Sequence, residues 1–269
     1  AAAERFRLPG GFPAGLMPGG AIAVWKDGTT DRVRVLDWPT RGVQMGFQLF
    51  SDFLDYCGAS SDIAGVGGGT GAGINNGYES SSYASGMRKI YTGTATTGLA
   101  TIAGYPAAMY KLVARGGLVG GAVQVVTATD ATETYVVEVG FTGGDAAAAT
   151  YAAVWEYRWN GAAAELSQTI VNNGSASRST SGSPSVTSPA ITARPFHLLV
   201  FLNSAWTRAD FIYSTDGVNY SLAQSIAVSL TAGSPRFAPA LAIKKSAGTT
   251  SRLAVVDWFG ARLTPGGPR

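Results

Sequence analysis

Few residues in this chain are equipped to act on a substrate, and most of those that are equipped are carboxylates set among aromatic rings. The segment Trp155-Glu156-Tyr157-Arg158-Trp159 alternates rings with charges. Side chains of a strand point to alternate faces, so the three rings share one face while Glu156 and Arg158 share the other. Such a row of rings serves either as a stacking platform for sugars or as one wall of a buried core. The charges opposite favour the core, because one face of the strand is then left for water. Glu133 and Glu138 flank Tyr135-Val136-Val137 and, five apart, fall on opposite faces of a regular strand. Asp257 sits within the apolar run Val255-Val256-Asp257-Trp258-Phe259. A carboxylate there calls for a backbone donor or an arginine such as Arg252 or Arg262, with a calcium or glycan contact as the alternative. Glycosidases work with two carboxylates about 5–10 Å apart, which makes Glu133, Glu138, Glu156 and Asp257 the test of an enzymatic reading.

Other chemistries find little support. His197 is the only histidine and precedes Leu198-Leu199-Val200-Phe201, so it reads as a strand residue with a structural role. No Gly-x-Ser-x-Gly elbow accompanies it, and no Cys/His spacing suits a metal. Cys57 is alone, which rules out an intrachain disulfide and fits a small buried hydrophobe. The glycine run Gly65 to Gly73 lacks the Gly-Lys-Ser/Thr that a phosphate-binding loop requires. No cofactor is expected, and calcium has no dedicated ligand set behind it.

These residues need a scaffold, and the chain reads as all-β. Phe211-Ile212-Tyr213 alternates, Asp216-Gly217 supplies a tight turn, and Val218 and Tyr220 resume the alternation. The same grammar runs from about Met87, with strand candidates including Val119–Ala128, Thr134–Phe141, Ala152–Asn160, His197–Asn203 and Ser251–Leu263. Turn signals such as Asn160-Gly161 and Asn173-Gly174 separate them. Short strands at this spacing, with no long amphipathic helix for parallel crossovers, predict a sandwich or jelly roll. Residues 1–20, rich in Pro and Gly, read as an extended arm. Lys26-Asp27-Gly28 predicts a small hairpin, and Phe47, Phe50, Leu54 and Cys57 are spaced for a short helix over 46–57. The expected division is an attachment segment over 1–57, a Gly/Ser-rich linker over 58–86 and the sandwich over 87–265.

Composition bounds the partners. Only 14% of residues are charged, and the net charge of +3 is dispersed, which argues against nucleic acid. No apolar run approaches the roughly 20 residues of a membrane-spanning helix. Six Trp, eleven Tyr and eleven Phe supply enough apolar area for a large core. Low charge with abundant Gly and Ala suits a subunit covered by neighbours.

Taken together, Ile90-Tyr-Thr-Gly-Thr-Ala-Thr-Thr-Gly-Leu-Ala100, Phe211–Tyr220, Pro239–Thr249 and Val255–Phe259 resemble segments of bacteriophage tail-fibre and related virion proteins. The strand pair Thr134–Phe141 and Val154–Asn160 falls where that family carries its "y-vGf" and "f-Y-w-g" segments. The resemblance covers roughly residues 78–265 and implies a concanavalin A-like jelly roll without catalytic residues. It also implies a homotrimer in the virion; residues 1–57, which the resemblance does not cover, are expected to dock onto other virion proteins. On this reading the chain is a tail fibre or receptor-binding protein, with a capsid decoration or head-fibre protein as the alternative. A carbohydrate-binding module or a carbohydrate-active enzyme is the rival from another class. For a host glycan, Trp155, Tyr157, Trp159 and Trp206 are the candidate contacts.

Overall fold

A computed structural model describes residues 22–27, 30–35, 47–51, 63–68, 73–75, 88–104, 114–143, 151–186, 194–203, 205–229 and 237–265. The first strands are β1 (Ile22–Asp27), β2 (Thr30–Val35), β3 (Phe47–Ser51), β4 (Ile63–Gly68), β5 (Gly73–Asn75), β6 (Arg88–Tyr91) and β7 (Gly98–Gly104). Next come β8 (Ala114–Val125), β9 (Tyr135–Gly143), β10 (Tyr151–Trp159), β11 (Ala164–Asn172) and β12 (Ser175–Ser179). The chain finishes with β13 (Phe196–Leu202), β14 (Arg208–Ser214), β15 (Tyr220–Ala227), β16 (Phe237–Lys245) and β17 (Leu253–Pro265). One sheet runs β1-β2-β15-β14-β13-β8-β17-β6-β5, with β3 also paired to β17. The other runs β12-β11-β10-β9-β16-β7-β4. The two sheets stack as an antiparallel jelly-roll sandwich, as the strand spacing predicts.

The core lies between β8, β13, β14 and β17 of the first sheet and β9, β10, β11 and β16 of the second. Val137, Val139 and Phe141 of β9 enter it with Ala153, Trp155 and Tyr157 of β10, and they meet Leu198, Val200, Phe211 and Phe259. Trp155 is fully buried and its indole N–H spans the gap, donating to the carbonyls of Leu199 at 2.9 Å and Ile212 at 3.1 Å. Phe211 and Tyr213 meet the indole nearly edge-on, at 5.5 and 6.2 Å between ring centres. The sheets approach closely at Gly140, where an added Cβ would lie 2.9 Å from Val154 Cα and 3.2 Å from Val200 Cγ2.

The turn chemistry follows the sequence. Asn173 and Gly174 both have positive φ, 49° and 78°, the primed turn that lets β11 fold back as β12. Gly217 takes φ 73°, and Asp216 Oδ1 caps the turn by accepting from the amides of Val218 and Asn219 at 2.9 and 2.7 Å.

Two expectations change and one holds. The helix over 46–57 is replaced, within the described residues, by β3, whose Phe47–Ser51 pairs with Leu263–Phe259 of β17. Short apolar runs satisfy both periods, and here the unpaired edge of β17 supplies a ladder of backbone hydrogen bonds. The Gly-rich stretch 58–86, expected as a linker, contributes β4 and β5, paired with β7 and β6. Glycine removes the side-chain pattern without removing the backbone donors and acceptors. The small hairpin around Lys26-Asp27-Gly28 is present as β1 and β2, and its second strand joins β15. The arm over 1–20 lies outside the described residues.

Trp155→Phe deletes the donor shared by two carbonyls and leaves a void beside them. The expected loss is at least about 2 kcal/mol in urea unfolding, with an unchanged m-value.

Candidate functional site: the carboxylate face and the rim aromatics

The rings of β10 point inward, so its charges point out, onto the far face of the second sheet. There the register places Glu138 of β9 directly opposite Glu156 of β10. The row continues through Ser167 on one side and through Ala242 and Thr101 on the other. Two carboxylates in adjacent strands repel unless each finds a cation. Each does. Lys244 Nζ sits 2.7 Å from Glu138, and Arg178 Nε sits 3.0 Å from Glu156. Arg158 leans between Glu156 at 3.8 Å and Glu165 at 3.1 Å.

The face is far drier than a solvated strand face. Glu156 is only 4% exposed, and Val154, Ser167, Thr169 and Ala242 are buried around it. Burial pushes the Glu138 carboxyl above its ordinary value, with Lys244 opposing that rise and the neighbouring Glu156 adding to it. The Thr101 hydroxyl, in the same row, is buried without a hydrogen-bond partner among the described residues. A raised carboxyl beside a second carboxylate is the electrostatic pattern of an acid–base pair. Closure of each carboxylate in its own ion pair works against that use, since the charge is already compensated.

The remaining acidic candidates are scattered. Glu133 precedes β9 and closes the β16–β17 turn, accepting from the amides of Thr249 and Thr250 at 3.1 and 3.0 Å. Arg252 stands 3.7 Å from Glu133 and 4.0 Å from Asp130. Asp257 is the extra residue of a bulge, where the register passes from Val256↔Val123 to Trp258↔Ala122. Among the described residues no group of three His, Cys, Asp or Glu side chains is placed to hold a metal ion.

The four aromatic candidates separate into two kinds. Trp155 and Tyr157 are core residues, which corrects their use as a stacking platform: their faces are packed and their polar atoms engaged. The Tyr157 hydroxyl accepts from the amide of Thr129 at 3.3 Å. Trp159 is half-buried at the end of β10, beside the Asn160–Ala163 turn. Trp206 is half-buried in the β13–β14 hairpin, with φ 58° and its amide donating to Asn203 O at 3.0 Å. The hydrogen bond from Thr129 puts the Tyr157 end of β10 beyond the start of β13, whereas Trp206 follows the end of β13. Trp159 and Trp206 therefore occupy opposite ends of the sandwich and form no single platform.

Sequence reasoning missed the pairing of Glu138 with Glu156. Its signal was available only as phase: each glutamate alternates with core residues on its own strand, and the registration of β9 on β10 decides the rest.

No family model and no curated protein matches the sequence. Solved structures with this fold exist. A protein of unknown function from Shewanella oneidensis MR-1 superposes with a TM-score of 0.60 at 12% identity, covering 86% of this chain and 92% of that one. Peanut lectin, solved with a 9mer peptide, gives a TM-score of 0.50 at 10% identity, covering 82% and 98%. At such identities the likeness is one of architecture: this chain has the lectin-type, concanavalin A-like jelly roll.

Lys244→Ala strands the Glu138 carboxylate on the dry face. The expected loss is about 2–4 kcal/mol at pH 7, somewhat below that of a fully buried pair because Lys244 keeps part of its water contact. A carboxyl whose folded pKa is raised contributes stability below its ordinary value of 4.5 and loses it as pH rises through the folded value. The Lys244→Ala defect should therefore shrink near pH 4.5, and Lys244→Met with Glu138→Gln should recover most of it. Thermal melts across that pH range check both.

Proposed function

We propose that this chain is a non-enzymatic bacteriophage virion protein whose jelly roll binds a surface glycan, in the first instance as a tail fibre or receptor-binding subunit. The observation that carries the reading is the closure of Glu138 and Glu156 in separate ion pairs on a dry face. That arrangement favours structure over turnover. The virion assignment draws on the segments that resemble tail-fibre proteins. Ile90–Ala100 runs from the end of β6 through its turn into β7, Phe211–Tyr220 runs from β14 through its turn to the start of β15, and Val255–Phe259 lies in β17, an interior strand of the first sheet. Homotrimeric assembly, attachment through residues 1–57 and location in the virion belong to the same proposal. A capsid decoration or head-fibre protein would use the same sandwich elsewhere on the particle.

Contact with a sugar falls to Trp206 and Trp159, the two candidates that reach the surface. On a printed glycan array the purified chain should bind a restricted set of oligosaccharides. Trp206→Ala or Trp159→Ala should weaken that binding by about 1–3 kcal/mol, with a melt confirming that each variant folds. Unchanged binding in both variants sinks the rim assignment.

One observation favours a second reading, glycoside hydrolysis: the raised carboxyl of Glu138 stands beside Glu156. Release of reducing ends from an array ligand, abolished by Glu138→Gln, would replace the adhesive reading with the enzymatic one.

A further inference from the structure

The single histidine of the chain is held from several sides at once. His197 is the second residue of β13, between core residues Phe196 and Leu198, and so faces the outer side of the first sheet. Its Nδ1 accepts a hydrogen bond from the indole Nε1 of Trp258 at 3.1 Å. An indole nitrogen only donates, so Nδ1 carries no proton and the neutral imidazole keeps its proton on Nε2. The Trp258 ring lies 6.0 Å away at 39°, and Tyr220 meets the imidazole nearly edge-on at 6.3 Å. Gly217 presses against the same ring, where an added Cβ would lie 2.9 Å from both Cε1 and Nε2.

Four elements converge on this imidazole: β13, the bulged part of β17, the turn at 214–219 and the start of β15. The last has a further attachment. Tyr220↔Val33 and Ser221↔Arg32 are the pairs that join the β1–β2 hairpin to the rest of the first sheet. We propose that the Trp258–His197 hydrogen bond is an acid-sensitive latch that holds the start of β15, and through it the β1–β2 hairpin, onto the sandwich. Taking a proton from solvent, His197 presents N–H at Nδ1 to the N–H of Trp258. Two donors then face each other and the bond breaks.

The charges around the ring do not cancel the effect. Asp257 of β17 and Asp216 of the turn both favour the imidazolium, yet burial outweighs them and keeps His197 below its ordinary 6.5. Asp216 is held well below the usual carboxylate range by donors from Asn219, Val218 and Ser214, so it stays ionised throughout. The Tyr220 phenol is pushed up to about 12 and stays neutral. Of His197, Asp216 and Tyr220, only His197 changes charge between pH 7 and 5. A base depressed in this way stabilises the fold above 6.5 and loses that contribution as pH falls through 6.5 toward its folded value.

The test is an NMR titration of the full chain from pH 8 to 5. It follows the one histidine ring and the Trp258 indole N–H, the latter assigned by its loss in Trp258→Phe. The account expects a single His197 midpoint below 6.5 and an upfield shift of the indole proton with the same midpoint. Amides of residues 22–27 and 30–35 should lose protection from exchange over that range, by about tenfold after correction for intrinsic rates. In His197→Asn, Oδ1 replaces Nδ1 as an acceptor that does not titrate, so the indole shift and hairpin protection should become independent of pH. An indole resonance without inflection, hairpin protection unchanged by acid, or an inflection that survives in His197→Asn would each overturn the latch. The wild-type titration decides the matter even where the variant folds poorly.

Discussion

One indole N–H organises this molecule. Trp155 projects from β10 into the space between the sheets and gives its hydrogen to two carbonyls of the opposite sheet, on β13 and β14. A buried indole without an acceptor is costly, so the contact fixes the height, tilt and lateral position of one sheet over the other. Phe211, Tyr213 and Val200 then pack around a defined ring rather than a loose apolar layer. Because strand side chains alternate, the commitment of Trp155 and Tyr157 to the interior sends Glu156 and Arg158 outward.

That outward face sets the second constraint. The registration of β9 on β10 brings Glu138 and Glu156 together, and the surrounding small residues leave them little water. Burying two like charges is tolerable only with cations in place, which Lys244, Arg178 and Arg158 supply. Such pairs add little net stability over an apolar face of the same shape. Their effect here is on register: sliding either strand by one residue would bury a glutamate in the core. The same closure compensates the charge of both carboxylates within the fold.

Much of this was legible in the sequence, and the boundary of legibility is physical. Alternation in β9, β10 and β14 and the positive-φ turns at Asn173-Gly174 and Gly217 are local signals, and they led directly to an all-β sandwich. The inward direction of Trp155 and Tyr157 followed from the charges opposite, although the far face, expected to be wet, turned out dry. What stayed hidden depends on partners distant in the chain. β4 and β5 are glycine-rich and carry no side-chain pattern, so only their pairing with β7 and β6 reveals them. β12 is polar and exposed, and it is a strand because a primed turn returns it to β11. Neither the meeting of Glu138 with Glu156 nor the Trp258–His197 bond can be read without the strand registers.

The central claim is that this sandwich is a subunit of an assembly that works by holding on rather than by turning over. The most direct measurement is the mass of the full chain in solution by multi-angle light scattering. The account predicts a particle three times the 27.6 kDa of one chain, persistent on dilution. A single 27.6 kDa species at every concentration would contradict it.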